Sequence, residues 1–222
     1  MKRQRGFLAT FLLAAFTVLS GALAHASPSR APPDRPFKLV ALGDSLSAGY
    51  GLPDSAAFPN VLQRALRAKG YKVEIANAGL SGDTASGGLD RLDWSVPEGT
   101  DGVILELGAN DMLRGLDPAV TRRALETIVQ RLRARGVPVL LAGMRASRNM
   151  GPEYGERFEG IFRDLAQSYD LVLYPFFLDG VAGERGLNLP DGIHPTAQGV
   201  ERIVERMLPT VERFLGRLGV RS

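Results

Sequence analysis

Four short segments of this chain carry groups able to do chemistry: "GDSLSAGYG" with Ser45, "NAGLSGDT" with Gly82, "GANDMLRG" with Asn110, and "DGIHPTAQG" with Asp191 and His194. A serine hydroxyl attacks poorly until a base takes its proton during attack. Imidazole, whose unperturbed pKa lies near neutrality, can take that proton and later return it. A carboxylate bonded to the other ring nitrogen fixes the tautomer and stabilises the imidazolium. Asp191 and His194 are three residues apart in a Gly/Pro-punctuated turn, so that bond can be made locally. Asp44 and Asp111 also neighbour these positions and remain alternatives for orienting the ring, but the spacing favours Asp191. Attack on a carbonyl creates an oxyanion, and the N–H groups of Ser45 and Gly82 with the side-chain amide of Asn110 could receive it.

Other chemistries fail on inventory. There are 0 Cys and 2 His, and His25 falls in an early apolar segment. A catalytic zinc wants several His, or His with Cys, so no metal is expected. No G-x-x-x-x-G-K-[ST] run exists, and "GDSLSAGYG" lacks the G-x-G-x-x-G spacing, so neither a phosphate cradle nor a dinucleotide is indicated and no cofactor is expected.

The start of the chain has its own pattern. Lys2, Arg3 and Arg5 precede an apolar run from Phe7 to Leu19, and small residues end at Ala24-His25-Ala26. That pattern predicts a signal peptide over 1–26, cut after Ala26, and so a periplasmic or secreted protein. The run is short for a spanning helix, and no later segment is long and apolar enough, so no stable membrane span is expected after cleavage. The 27 Lys and Arg exceed the 24 Asp and Glu by the three basic residues of that leader, so no basic footprint for nucleic acid remains. Residues 27–36 are Pro/Ser-rich and predict a disordered lead-in. Residues 37–222 suit a single domain held by its core without disulfides.

The elements that must position these groups alternate. "FKLVAL" (37–42), "KVEIAN" (72–77), "GVILEL" (102–107), "VPVLLA" (137–142) and "LVLYPF" (171–176) are short β-rich apolar runs, as in strands covered on both faces. Between them lie helical patterns. In "DPAVTRRALETIVQRLRARG", Asp117 can cap, Pro118 suits the first turn, and Val120, Ala124, Ile128 and Leu132 recur on one face. The last segment aligns Val200, Ile203, Val204, Met207, Leu208, Val211, Phe214, Leu215 and Leu218 on a core-facing stripe. Five strands alternating with helices predict an α/β protein, a three-layer α/β/α sandwich with a five-stranded, mainly parallel sheet. Ligands of such sheets bind beyond the carboxyl ends of the strands. Ser45, Gly82, Asn110 and the Asp191/His194 pair all follow strands, and so meet at one rim.

These four blocks, in this order, resemble those of the SGNH hydrolases, also called GDSL esterases/lipases, from about Phe37 to the C-terminus. The resemblance implies a flavodoxin-like three-layer fold and a Ser45–His194–Asp191 triad, with Ser45, Gly82 and Asn110 as the oxyanion hole. "LSGDT", "ANDMLRG" and the overall size are closest to the compact exported bacterial branch of acyl-CoA thioesterases, lysophospholipases and arylesterases. That likeness implies a monomeric, metal-independent hydrolase acting on a small-molecule acyl ester or thioester. It also implies an apolar acyl rim, for which Met112, Leu113, Leu116 and Met144 are the candidates. A carbohydrate O-acetylesterase with the same machinery, or a non-catalytic exported binding protein on the same fold, are the competing expectations.

Overall fold

In a computed structural model, the structure describes residues 35–222; the expected leader, and the lead-in up to residue 34, lie outside the described residues. Arg35 is already tied down, its guanidinium reaching the Asp101 carboxylate at 2.6 and 3.0 Å. From there the chain enters β1 (Phe37–Gly43), and β2 (Val73–Gly79), β3 (Gly102–Glu106), β4 (Val139–Ala142) and β5 (Val172–Tyr174) follow. All five pair in parallel in the order β2-β1-β3-β4-β5. The sheet is thus wholly parallel, and each strand lies within about two residues of its expected span. β3 and β4 are buried throughout, which is why they read as unbroken apolar runs rather than as alternating ones.

Helices α2 (Phe58–Ala68), α6 (Pro118–Ala134), α7 (Pro152–Tyr169) and α8 (Ala197–Arg217) cover the faces, with short α3 (Ala85–Asp90) and α4 (Leu92–Ser95) leading into β3. The chain moves one way from β1 to β2 and the other way from β2 over β1 to β3, β4 and β5. With right-handed crossovers, that reversal puts α2 on one face and α3, α6 and α7 on the other. α8 returns to the first face and packs on α2, while α6 packs between α3 and α7. The caps work as their residues suggest. Asp117 accepts the Ala119 N–H at 3.0 Å ahead of α6, and Thr196 accepts the Gly199 N–H at 3.2 Å ahead of α8. On α6 the buried stripe is Ala124, Leu125, Ile128, Val129 and Leu132 with Thr121; Val120 is only half-buried at its edge. On α8, Val200, Ile203, Val204, Met207, Val211, Phe214 and Leu215 are buried, whereas Leu208 and the capping Leu218 are only half-buried at the edge of the stripe.

The order reverses between β1 and β3, so the loops leaving these two neighbouring strands diverge and open a crevice between them. Two single-turn helices start there, α1 (Ser45–Ala48) after β1 and α5 (Ala109–Leu113) after β3.

Candidate active site

The turn after β1 carries Ser45 as the first residue of α1. Asp44 caps that turn by accepting the Leu46 N–H at 2.9 Å. The turn is tight, and a Cβ on Gly43 would stand 2.2 Å from Ser47 Oγ and 2.7 Å from Glu106 Oε2, so only glycine fits. Beneath it lies Glu106, fully buried at the end of β3, where its Oε2 accepts the Ser47 hydroxyl at 2.8 Å. Its Oε1 has no partner among the described residues. Burial, and then the neighbouring Asp44 carboxyl, push the Glu106 pKa well above its ordinary 4.5. Asp44, also fully buried, is raised to about 6 by burial, partly offset by the hydrogen bonds it accepts from Leu46 and Asn110.

The imidazole of His194 arrives from the other end of the chain. The segment from Leu187 to Thr196 folds back on itself, Leu189 N–H donating to the His194 carbonyl at 2.7 Å and Thr196 N–H to the Leu187 carbonyl at 2.9 Å. Inside this fold Asp191 Oδ1 accepts the N–H groups of Ile193 at 2.9 Å and His194 at 3.0 Å. Its Oδ2 lies 2.7 Å from His194 Nδ1. The backbone N–H of His194 first, then its ring, hold the Asp191 pKa down to about 2, so it stays a carboxylate. His194 Nε2 reaches Ser45 Oγ at 2.9 Å. The order Asp191, His194, Ser45 is therefore continuous, with one ring nitrogen facing the carboxylate and the other the hydroxyl. Asp44 and Asp111 do not take Asp191's place. Asp44 Oδ2 accepts Asn110 Nδ2 at 3.2 Å, and Asp111 accepts the Ala85 N–H at 2.8 Å and the Thr121 hydroxyl at 2.9 Å.

Beside the hydroxyl stand the donors. Among the described residues, the N–H groups of Ser45 and Gly82 donate to no protein acceptor, and Asn110 Nδ2 gives one of its two protons to Asp44. Gly82 sits at φ 85°, a left-handed conformation that L side chains rarely adopt. Asn110 is on α5, whose entry turns at Gly108 with φ 119°.

A cavity of about 300 Å³ opens at Ser45 and His194, and Met112, Leu113 and Met144 line it along with Phe176, Leu178 and Ile193. Leu116 lies outside it. The chain turns at Gly115, φ 62°, and carries Leu116 toward α7, where its carbonyl accepts the Tyr154 hydroxyl at 3.0 Å. Phe176 follows β5 and Leu178 a turn later, so neither had a local signal beyond apolarity. Tyr50, which the sequence did not single out, lays its ring 4.4 Å from the His194 ring, centroid to centroid, tilted by 35°. Arg91 is a second omission. Only 5 % exposed, its guanidinium donates to the Gly43 carbonyl at 2.7 Å, the Ala78 carbonyl at 2.8 Å and Asp83 at 2.5 Å, tying the ends of β1 and β2 together. It sits between α3 and α4, where no local pattern singles it out.

A doubly wound parallel sheet with a hydrogen-bonded Ser–His–Asp set at its carboxyl rim and an apolar cavity beside the serine is the arrangement of an ester-cleaving serine hydrolase. Residues 41–202 match the model of the "GDSL-like Lipase/Acylhydrolase family", and the chain belongs to that family. It is similar to "Esterase TesA" of Pseudomonas aeruginosa, 40% identical over 178 residues, covering 80% of this chain and 89% of that one. It is also similar to "Thioesterase 1/protease 1/lysophospholipase L1" of Escherichia coli, 38% identical over 76% of this chain and 80% of that one. Among solved structures, the psychrotrophic esterase EstA from Pseudoalteromonas sp., inhibited by monoethylphosphonate, superposes with a TM-score of 0.77 at 30% identity, covering 81% of this chain and 99% of that one. The chain is a hydrolase of carboxylic ester bonds.

Proposed function

We propose that Ser45 is the nucleophile, His194 the general acid–base and Asp191 the residue that orients it. The hydroxyl of Ser45 adds to the carbonyl of an ester or thioester while Nε2 of His194 takes its proton. The N–H groups of Ser45 and Gly82 and the amide of Asn110 receive the oxyanion. His194 returns the proton to the leaving alcohol or thiol, leaving an acyl-enzyme. Water then attacks with His194 again as base, and His194 passes that proton to Ser45 Oγ as the acyl bond breaks and the carboxylic acid departs. The observation that carries this reading is the unbroken pair of contacts, 2.7 Å from Asp191 to His194 and 2.9 Å from His194 to Ser45. The acyl group is taken into the cavity lined by Met112, Leu113 and Met144, whose volume of about 300 Å³ favours chains longer than acetyl over a carbohydrate O-acetyl group. The names of the relatives, an esterase and a thioesterase/lysophospholipase, support an acyl ester or thioester as the substrate. The leader pattern over 1–26 supports export to the periplasm or beyond, as one domain over 37–222. Among the described residues no helix is long and apolar enough to cross a membrane.

The test is a panel of p-nitrophenyl esters of rising chain length against purified residues 27–222. Ser45→Ala and His194→Ala each lose at least ~10³-fold in kcat while remaining folded, and the double variant loses little more, because such groups act as a unit. Turnover persisting in a clean Ser45→Ala preparation would overturn the assignment. A phosphonate ester should label the wild type at Ser45 and leave Ser45→Ala unlabelled, as mass spectrometry would show.

A further inference from the structure

An oxyanion donor has to be aimed before the charge appears, because reorganising it during the reaction cancels its benefit. Gly82 poses that problem sharply. Its left-handed φ of 85° calls for glycine, and glycine is the residue that holds any one conformation least firmly. Something outside the residue must therefore fix the peptide groups around it.

α5 does this from the far side of the crevice. Asn110 at its start turns its amide to Asp44. The next residue, Asp111, is fully buried and accepts the Ala85 N–H at 2.8 Å, which anchors the downstream end of the Gly82 loop. Arg114, one turn beyond Asn110, donates from Nη2 to the Gly82 carbonyl at 2.6 Å. The Arg114 N–H in turn donates to the Asn110 carbonyl at 3.1 Å, so the guanidinium and the carboxamide ride on one rigid turn. Arg114 is exposed and makes no ion pair among the described residues; its side chain's one hydrogen bond is to Gly82.

We infer that Arg114 is a positioning residue: by holding the Gly82 carbonyl it fixes the glycine's backbone and couples the Gly82 N–H to the Asn110 amide as one preset pair of donors. This rests on the oxyanion role given to Gly82 and Asn110 above. An exposed arginine with one loop contact contributes little to stability, so its effect should be seen in the rate rather than in the melt.

The experiment compares Arg114→Met, which keeps the length and loses the donors, with Arg114→Lys, which keeps one donor-bearing charge. Substrates are a neutral p-nitrophenyl ester and an ester of the same acyl group carrying a carboxylate on its leaving group. For Arg114→Met, kcat is expected to fall by roughly 10- to 100-fold on both substrates, less than the ~10²–10³ of removing an oxyanion donor outright, because the donor is loosened and not lost. KM should stay within about twofold, since only the transition state is affected, and the melting midpoint should stay within about 3 °C. Arg114→Lys should recover part of the lost kcat. The inference fails if Arg114→Met keeps kcat within about twofold of wild type. It fails too if the loss is confined to the anionic ester, because Arg114 then contacts substrate, or if the rate falls only in step with the melting midpoint. Ser45→Ala, assayed in parallel, separates the two levels. An active Ser45→Ala overturns the proposed function itself, whereas an inactive Ser45→Ala beside a fully active Arg114→Met overturns this inference alone.

Discussion

His194 touches three side chains, and each contact does a different job. In the proposed mechanism Asp191, 2.7 Å from Nδ1, sets the tautomer and Ser45, 2.9 Å from Nε2, is the partner in proton transfer, while the Tyr50 ring bears on the imidazole from the side. An aromatic contact of this kind is worth about 0.5–1.5 kcal/mol, or roughly 2- to 10-fold in a rate if it is lost only where it orients the base. Tyr50→Ala is therefore expected to lower kcat by about that factor, while Tyr50→Phe, which keeps the ring, stays near wild type. Steady-state rates on one p-nitrophenyl ester would check this, and equal losses in both variants would shift the role from the ring to the hydroxyl. Asp191→Asn should be harsher, about 10²- to 10⁴-fold in kcat, because an amide can hold the ring in the unproductive tautomer. At this scale the residues that meet at the rim were legible as types and spacing. Ser45, Gly82 and Asn110 each follow a strand end within a few residues, and Asp191 and His194 share one turn farther along the chain. Tyr50 and Arg91 were not legible, because their partners lie far along the chain: His194 for the first, and the Gly43 and Ala78 carbonyls for the second. Nothing in a single stretch of residues announces such a meeting.

Among the elements, the tight stack of β1's end, α1 and β3's end concentrates buried acid. Glu106 and Asp44 both hold protons that an unfolded chain would release at lower pH. A carboxyl whose folded pKa is raised favours the native state below its unfolded pKa, and that advantage fades as pH climbs toward the folded value. The window opens at the ordinary 3.8 for Asp44 and closes near its value of about 6. For Glu106 it opens at 4.5 and extends well above. Wild-type stability should thus decline on the alkaline side, and Glu106→Gln should flatten the decline by removing the larger contributor. Denaturant midpoints measured from about pH 5 to pH 8 test it, and parallel curves for the two proteins would refute it. Glu106→Ala should behave differently, leaving the Ser47 hydroxyl without its acceptor and a cavity under the nucleophile turn, at a cost of about 2–4 kcal/mol. Element types and strand spans followed from local pattern. The role of Glu106 did not, since a lone acid in "GVILEL" gives no hint that Ser47 and Asp44 will close over it.

For the molecule as a whole, the two faces of the sheet have unequal duties. The carboxyl rim carries the chemistry, and α8 seals one face from below with Phe214, 2 % exposed, packed near Gly102 at the start of β3. Phe214→Ala should cost about 3–5 kcal/mol of stability. It should leave kcat at 25 °C within about twofold of wild type, because no rim residue leans on it. Thermal melts beside rate measurements decide it, and a large fall in kcat without a fall in stability would be the contrary result. The strand order β2-β1-β3-β4-β5 could not be read from any window of the sequence, although alternation and crossover handedness narrowed the choices. Neighbour order is a property of the assembled sheet, and it is what brings the turns after β1 and β3 side by side.

The fold-back from Leu187 to Thr196 has one more consequence. Every bond that tells the imidazole which nitrogen carries its proton closes within six residues, from Leu189 to His194, whereas a single 2.9 Å contact joins that patch to the serine. The Asp191–His194 pairing is therefore set by its own turn, while its distance to Ser45 depends on how that turn seats against the rim.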